Sequence, residues 1–431
     1  MTTMAGTSVW ATVFFQKREN NLWMKRRLFF LMGLVMAVVV APSMCGVGAT
    51  TRVAISRTHC YAARGKKGLL MFPINRRSDY EVMPPPVGLG QVYDIFLEPS
   101  GRFLFVLSLG GSVNGTESMS GFTVLSLADP MAPAVIGTPL PVPAGPYGAI
   151  CGKAGTVIVA GGESNLTVWR YDRSTGAITG GRPVKSFRIG KSQDRVLLSN
   201  DGRVAYVKGE LDPAMGMGVG YGVMIVPLSN PTLIQPIQVP NAPAPLGSGM
   251  PPLVFPMESA LSEDGKVLFT AHGEGVSSVN VSDPLDCLLL TDVETIPQEY
   301  YSIAVVGQRA YAVGYSPYPR MIELDVSDPE KLVVKKLWRL TFKKPVSIAA
   351  NENFFFIGDR ASDCVVVIDR TNYLASWAGC TVKPKPLSPV RSSLQGQRGP
   401  GSWRGTPNTP SLPPPSSSSS GAPAGTRHRG H

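Results

Sequence analysis

The feature that most constrains this chain is a motif written seven times. The segment S-I-A-V-V-G-Q-R-A-Y-A-V-G, Ser302–Gly314, recurs 45 residues later as S-I-A-A-N-E-N-F-F-F-I-G, Ser347–Gly358. Upstream copies read L-L-S-N-D-G-R-V-A-Y-V-K-G (Leu197–Gly209), A-L-S-E-D-G-K-V-L-F-T-A-H-G (Ala260–Gly273) and F-L-E-P-S-G-R-F-L-F-V-L (Phe96–Leu107). Weaker copies lie at Ala149–Gly161 and Val53–Gly65. Each copy is two short apolar runs around a polar tight turn, where Asp-Gly supplies the positive φ angles that hairpins need. A third run follows and stops at Asp-Pro or Asn-Pro, as in R-M-I-E-L-D-V-S-D-P (Arg320–Pro329) and S-S-V-N-V-S-D-P (Ser277–Pro284). Proline has no amide to extend a ladder, and Asp or Asn caps the turn. A more polar fourth run comes next, such as L-V-V-K-K-L-W-R-L (Leu332–Leu340).

The first hairpin turns fall near Arg57, Gly101, Gly155, Gly202, Gly265, Gly307 and Asn351, at spacings of 44, 54, 47, 63, 42 and 44 residues. Four strands repeating at this interval predict an all-β chain folded as a seven-bladed β-propeller. A β-sandwich with coincidental repeats is the alternative. It is disfavoured because strand order and turn chemistry recur together. The innermost strand of the first blade begins at Arg52, so the ring is expected to close without a strand exchanged between the termini.

Val276 to Asp369 resembles the LVIVD-repeat proteins, in which a hydrophobic strand ends in D-x-S-D-P and the next blade opens S-I-A-V. The S-x-D-G-[KR]-x-x-[YF] hairpins also resemble YVTN and lactonase-type propellers. Together the resemblance spans roughly Val53 to Ala378. It weakens in blade one, which ends I-N-R-R (Ile74–Arg77), and in blade three, which ends Y-D-R-S-T-G (Tyr171–Gly176). The resemblance implies an extracytoplasmic propeller and says little about activity.

The net charge of +11 raises the question of nucleic acid, and its location answers it. Residues 1–49 carry +4 and residues 381–431 carry +7, so the span 50–380 holds 29 charges of each sign. A neutral body gives no support for a nucleic-acid partner.

The ends read as separate segments. Residues 1–49 form a signal peptide or anchor with a candidate upstream extension: Lys25-Arg26-Arg27 precede the apolar run Leu28–Ala41, Pro42 breaks it, and Val47-Gly48-Ala49 offers a small-residue cleavage site. The run is short for a membrane span. Cleavage implies a secreted or cell-surface protein, and membrane attachment follows only if the segment stays. Residues 50–380 hold the propeller. Residues 381–431, with ten Pro and ten Ser, read as a disordered basic tail.

Five cysteines remain after such cleavage: Cys60, Cys151, Cys287, Cys364 and Cys380. No C-x-x-C spacing and no histidine partner suggest zinc. Cys364 and Cys380 flank the last hairpin, where a disulfide or two buried thiols are the readings. Asn114, in a Gly-rich loop, is the candidate glycosylation site.

Chemistry is sparse. The body has two histidines, His59 and His272, neither beside a nucleophile motif, and no cofactor or metal is called for. Length is the stronger signal. Loops between second and third strands, and connectors between blades, leave a propeller on one face. The insertions Leu109–Ser120, Gly209–Tyr221, Asn241–Met257 and Tyr315–Arg320 all fall there. Long loops on a rigid scaffold are where binding concentrates. Met215, Met217, Tyr221, Met250, Tyr315, Tyr318 and Arg320 are adaptable or aromatic contact types. The expected function is therefore a binding scaffold for a protein or small-molecule ligand. A lactonase-like hydrolase is the alternative, and it calls for a carboxylate cluster at the channel mouth.

Overall fold

In a computed structural model, residues 52–85, 90–113, 116–118, 120–142, 148–161, 165–189, 192–215, 217, 221–238, 258–273, 275–294, 299–315, 318–373 and 375–378 are described. They form seven antiparallel sheets in chain order, six of four strands and the third of five, a seven-bladed β-propeller. The segments read as signal and tail, with Cys380 and Asn114, lie outside the described residues.

The inner strands are Arg52–Ile55, Gln91–Leu97, Gly148–Lys153, Ser192–Leu198, Ser259–Leu261, Ser302–Val306 and Pro345–Ala350. Each turns into a strand rich in β-branched and aromatic residues that is buried nearly throughout, such as Phe103–Leu109 or Thr156–Gly161. Both faces of these strands meet a neighbouring blade, so the pattern is a continuous apolar run rather than an alternation. The hairpin glycines Gly101, Gly155, Gly202, Gly265 and Gly307 sit at φ between +56° and +83°, which explains their recurrence. Blade seven has no glycine here and caps its turn with Asn351 Oδ1, which accepts from the Asn353 and Phe354 amides at 2.9 and 2.8 Å.

The Asp-Pro endings behave as expected. Asp325 Oδ1 accepts from the Ser327 amide at 3.1 Å, and Asp328 Oδ1 accepts from the Glu330 amide at 3.0 Å. The letters D-V-S-D-P are thus two successive side-chain-capped turns.

Two blades depart from the plain meander. Blade two carries an additional hairpin, Gly111–Val113 with Thr116–Ser118, between its second and third strands. Blade three pairs its third strand with two short pieces, Ile178–Thr179 and Lys185–Arg188.

Blades pack through apolar clusters. Between blades two and three, Phe122 meets Trp169 edge-on at 4.9 Å and Phe105 meets Tyr171 at 5.1 Å. Each such side chain, removed from water, contributes about 1.5–3 kcal/mol. No strand is exchanged between the termini: blade one contains Arg52–Ile55 to Glu81–Met83, and blade seven contains Pro345–Ala350 to Ala375–Ala378. Closure comes from side chains. Val53, Cys60, Leu70 and Phe72 of blade one pack on Phe356, Val365 and Val367 of blade seven. Beside them, Arg64 Nε and Nη2 donate to Asp363 Oδ1 and Oδ2 at 3.1 and 2.7 Å.

Candidate functional site

At the start of each inner strand one position faces the corresponding position of the next blade. By strand register these positions are Arg52, Asp94, Ala149, Arg195, Glu258, Ser302 and Ser347. An innermost strand has an unpaired edge, and its buried N–H groups need acceptors. The neighbouring blade supplies them. The Val53 amide donates to Ser347 Oγ at 3.0 Å, the Ile348 amide to Ser302 Oγ at 2.9 Å, and the Ile150 amide to Asp94 Oδ2 at 2.9 Å. The Ser302 hydroxyl donates to Glu258.

Ion pairs complete the belt. Arg52 Nε lies 3.5 Å from Asp94 Oδ1, and Arg195 Nε lies 3.6 Å from Glu258 Oε1. Arg52 of blade one also contacts Glu258 of blade five, a pair that crosses the ring. Burial lowers the Arg52 pKa to about 10, and Asp94 opposes that fall. At Ala149 the belt has no polar side chain. There Cys151, two residues on, takes a hydrogen bond from the Leu198 backbone of blade four, while burial pushes its thiol up to about 12.

The belt bears on the hydrolase alternative. Asp94 and Glu258 are the carboxylates at this level, and each is engaged by arginine and by a further donor. Among the described residues no group of three or more His, Cys, Asp or Glu could hold a metal ion. The belt was not anticipated from sequence. Its one signal is the polar residue standing just before an apolar pair, as in R-V-A, D-I-F and S-I-A.

From the Arg52–Glu258 pair a cavity of about 420 Å³ extends toward the first hairpin turns, bounded by Val53, Phe96, Lys153 and Asn200. The long-loop face is at the belt end of the ring. First hairpin turns never exceed five residues, as at Glu98–Arg102, whereas the stretches 110–120, 211–220 and 239–258 link the main blade strands at the other face.

The nominated binding residues separate into groups. Tyr315 stacks on Tyr301 at 4.6 Å with an 11° interplanar angle, and Lys344 Nζ lies 5.9 Å from the Tyr315 ring. The Tyr301 hydroxyl donates to Glu299. Burial raises the pKa of both phenols. Tyr318 is 54 % exposed, with the Arg320 and Arg339 guanidinium carbons 5.8 and 5.9 Å from its ring. Met217 is 8 % exposed and packs with Leu211 and Met224 in the core between blades three and four. The short 3₁₀ turn Pro213–Met215 precedes it, and Asp212 ties that turn to Arg188 Nη2 at 2.7 Å. Tyr221 opens the third strand of blade four opposite Glu210. The side chains of Met215 and Tyr221, and all of Met250, lie outside the described residues. Cys364 is buried at the start of the third strand of blade seven.

No protein-family model and no curated protein matches the chain. Solved propeller-like structures do. The chain is similar to hydrazine synthase from Kuenenia stuttgartiensis at 14% identity and a TM-score of 0.51, covering 75% of this chain and 96% of that one. It is also similar to a chain in the crystal structure of the mitotic checkpoint complex, at 8% identity and a TM-score of 0.51, covering 71% of this chain and 83% of the other. At these identities the likeness shows the fold alone.

Proposed function

We propose that this chain is an extracytoplasmic binding scaffold of the LVIVD/YVTN-like kind that engages a protein or small-molecule ligand through its long-loop face. One observation carries the reading: the two faces of the ring are unequal. On one, every first hairpin turn is tight; on the other, three of the connections, residues 110–120, 211–220 and 239–258, run to ten residues or more. Selection for stability alone gives no reason to place length on one side, whereas a rigid ring presenting variable loops is a common binding design. The belt supports the reading as well. Its carboxylates Asp94 and Glu258 are engaged by arginines, the Ile150 amide and the Ser302 hydroxyl, and among the described residues no acidic cluster suited to a metal accompanies them.

The test has two arms. Sequencing the mature N-terminus of secreted material checks export, with cleavage after Ala49 expected. For the face, residues 241–257 in the full chain are replaced by a short Gly-Ser linker. Crosslinked partner capture is expected to fall at least tenfold with an unchanged urea midpoint. Undiminished capture refutes the face assignment.

A further inference from the structure

The strongest unexplained feature of the long-loop face lies where blade six meets blade seven. Arg320 opens the third strand of blade six and Arg339 closes the fourth, and the two are direct cross-strand partners. Like charges placed opposite one another on a sheet are destabilising. Elsewhere on this blade Arg309 meets Glu323 and Asp325 at 3.4 and 3.8 Å, Lys335 meets Asp325 at 3.2 Å, and Lys336 donates to the Tyr373 hydroxyl at 3.0 Å. Arg320 and Arg339 make no ion pair among the described residues, and neither do Lys343 and Lys344 on the following connector. The nearby acids are already committed. Asp359 is buried and caps the Lys344 amide at 2.7 Å, and Glu299 holds the Tyr301 hydroxyl. Arg360 joins the group through its amide, which donates to the Lys344 carbonyl at 2.9 Å. Two aromatic rings complete the patch: exposed Tyr318, with the two guanidinium carbons 5.8 and 5.9 Å from its ring centre, and Tyr315 beside Lys344.

A local conflict retained on an exposed surface points to a ligand that resolves it. Two arginines on directly paired strand positions, both beside one ring, offer their guanidiniums to an oxyanion, which a guanidinium binds in bidentate fashion. Tyr318 beside them offers a flat apolar platform. Sulfate or carboxylate carried on a pyranose ring satisfies both, since the anion meets the arginines while the C–H face of the sugar rests on the phenol. A peptide added as a strand would use the length of the outer edge Val333–Arg339. Here the unpaired cations gather at the end of that strand and on the connector beyond it. We infer that this patch binds an anionic polysaccharide, sulfated or uronate-bearing. The inference rests on the reading of the long-loop face as the binding face and names one class of ligand for it.

The experiment uses the full chain and immobilised dextran sulfate, polygalacturonate, neutral dextran and poly-glutamate of similar length. The basic tail contributes the same background in every variant. Arg320→Gln/Arg339→Gln is expected to weaken binding of dextran sulfate or polygalacturonate at least tenfold, and whichever polymer binds more tightly identifies the anion. Tyr318→Ala, with all charges kept, is expected to weaken it about fivefold. Arg203→Gln/Lys266→Gln, at the first hairpin turns of the opposite face, is expected to change nothing. Relief of the like-charge pair leaves the urea midpoint of the double variant equal to or above that of the parent, which separates loss of binding from loss of fold. Equal binding by parent and double variant overturns the inference. So does poly-glutamate binding as tightly as the polysaccharides with the same sensitivity. Lost polysaccharide binding with intact partner capture through residues 241–257 would leave the two readings separately judged.

Discussion

The contact between Arg64 and Asp363 is the sharpest test of how the ring stays closed. It joins blade one to blade seven across 299 residues of chain, with Arg64 Nη2 also donating to the Asp363 carbonyl at 2.9 Å. The Arg64 side chain is 6 % exposed and that of Asp363 is 18 %. Breaking a buried pair by removing one partner costs roughly 3–5 kcal/mol. The backbone acceptor survives substitution and water reaches Asp363, so Asp363→Asn should cost about 2 kcal/mol. Lys67, half exposed, adds little to its own contact with Asp363. Backbone strain is a competing explanation, because Asp363 lies at φ +49°. Asp363→Gly separates the two: glycine relieves the φ but lacks the carboxylate, so it too should be destabilised by more than 1 kcal/mol. Urea unfolding followed by tryptophan fluorescence gives the energies. Amide exchange gives the location, with faster opening expected in blades one and seven before blade four. A glycine variant as stable as the parent, or a double-mutant coupling between Arg64→Ala and Asp363→Asn of zero, would show that the pair does not hold the closure.

Two further outcomes are expected. Glu258→Gln removes the charge that Arg52 and Arg195 share and should destabilise by roughly 3 kcal/mol, measured by urea unfolding; a change below 0.5 kcal/mol would mean the belt is held by its hydrogen bonds alone. Stability should also fall in acid. Hydrogen bonds from Ser327 hold the Asp325 carboxyl at about 2, those from Thr371 and Ser174 lower Asp369 and Asp172, and the Ser262 hydroxyl lowers Asp264. A depressed folded-state value stabilises above the ordinary carboxylate range and is lost as pH falls through the folded-state value, here between about 4 and 2. Asp325→Asn/Asp369→Asn keeps the caps, as Asn280 and Asn230 do in blades five and four, and should flatten the loss in that window. An unchanged acid unfolding curve counts against the capped turns as its source.

How much the sequence discloses follows from the range of each interaction. The hairpins were legible because S-x-D-G and D-V-S-D-P act within five residues, through glycine φ angles and Asx caps. Blade number followed from counting them. The belt was not legible, because its partners stand far apart: Val53 and Ser347 are 294 residues distant, and Ile150 and Asp94 are 56. Nothing local marks Asp94 in V-Y-D-I-F as an acceptor for another blade. The M-G-M-G run misled in the opposite direction. Met217 was named as a contact residue of a long insertion, yet it packs with Leu211 and Met224 in the core between blades three and four. The Tyr318–Arg320 contact lay within three residues, while its second arginine, Arg339, joined only through strand pairing.

Closure by side chains rather than by an exchanged strand has a consequence for how the molecule holds its loops. Each blade is a local meander, formed from contacts within about fifty residues, whereas closure depends on contacts separated by almost three hundred. Loop-closure entropy grows slowly with length, so those last contacts need not be individually strong, but several must form together. Three sets of contacts do so: the Ser347–Val53 bond at the belt, Arg64–Asp363 in the loops at that same end, and the Phe72–Phe356 cluster toward the first hairpin turns. The Arg64–Asp363 pair lies on the face where the insertions emerge. An opening that begins there would first move the edge between blades seven and one, next to the Lys344–Arg360 connector. The cationic patch reaches the Asp363 loop only through Arg360, so a polyanion that grips blades six and seven together has no direct hold across the seam. Bound polysaccharide should slow amide exchange in blades six and seven and leave the rate in blade one unchanged.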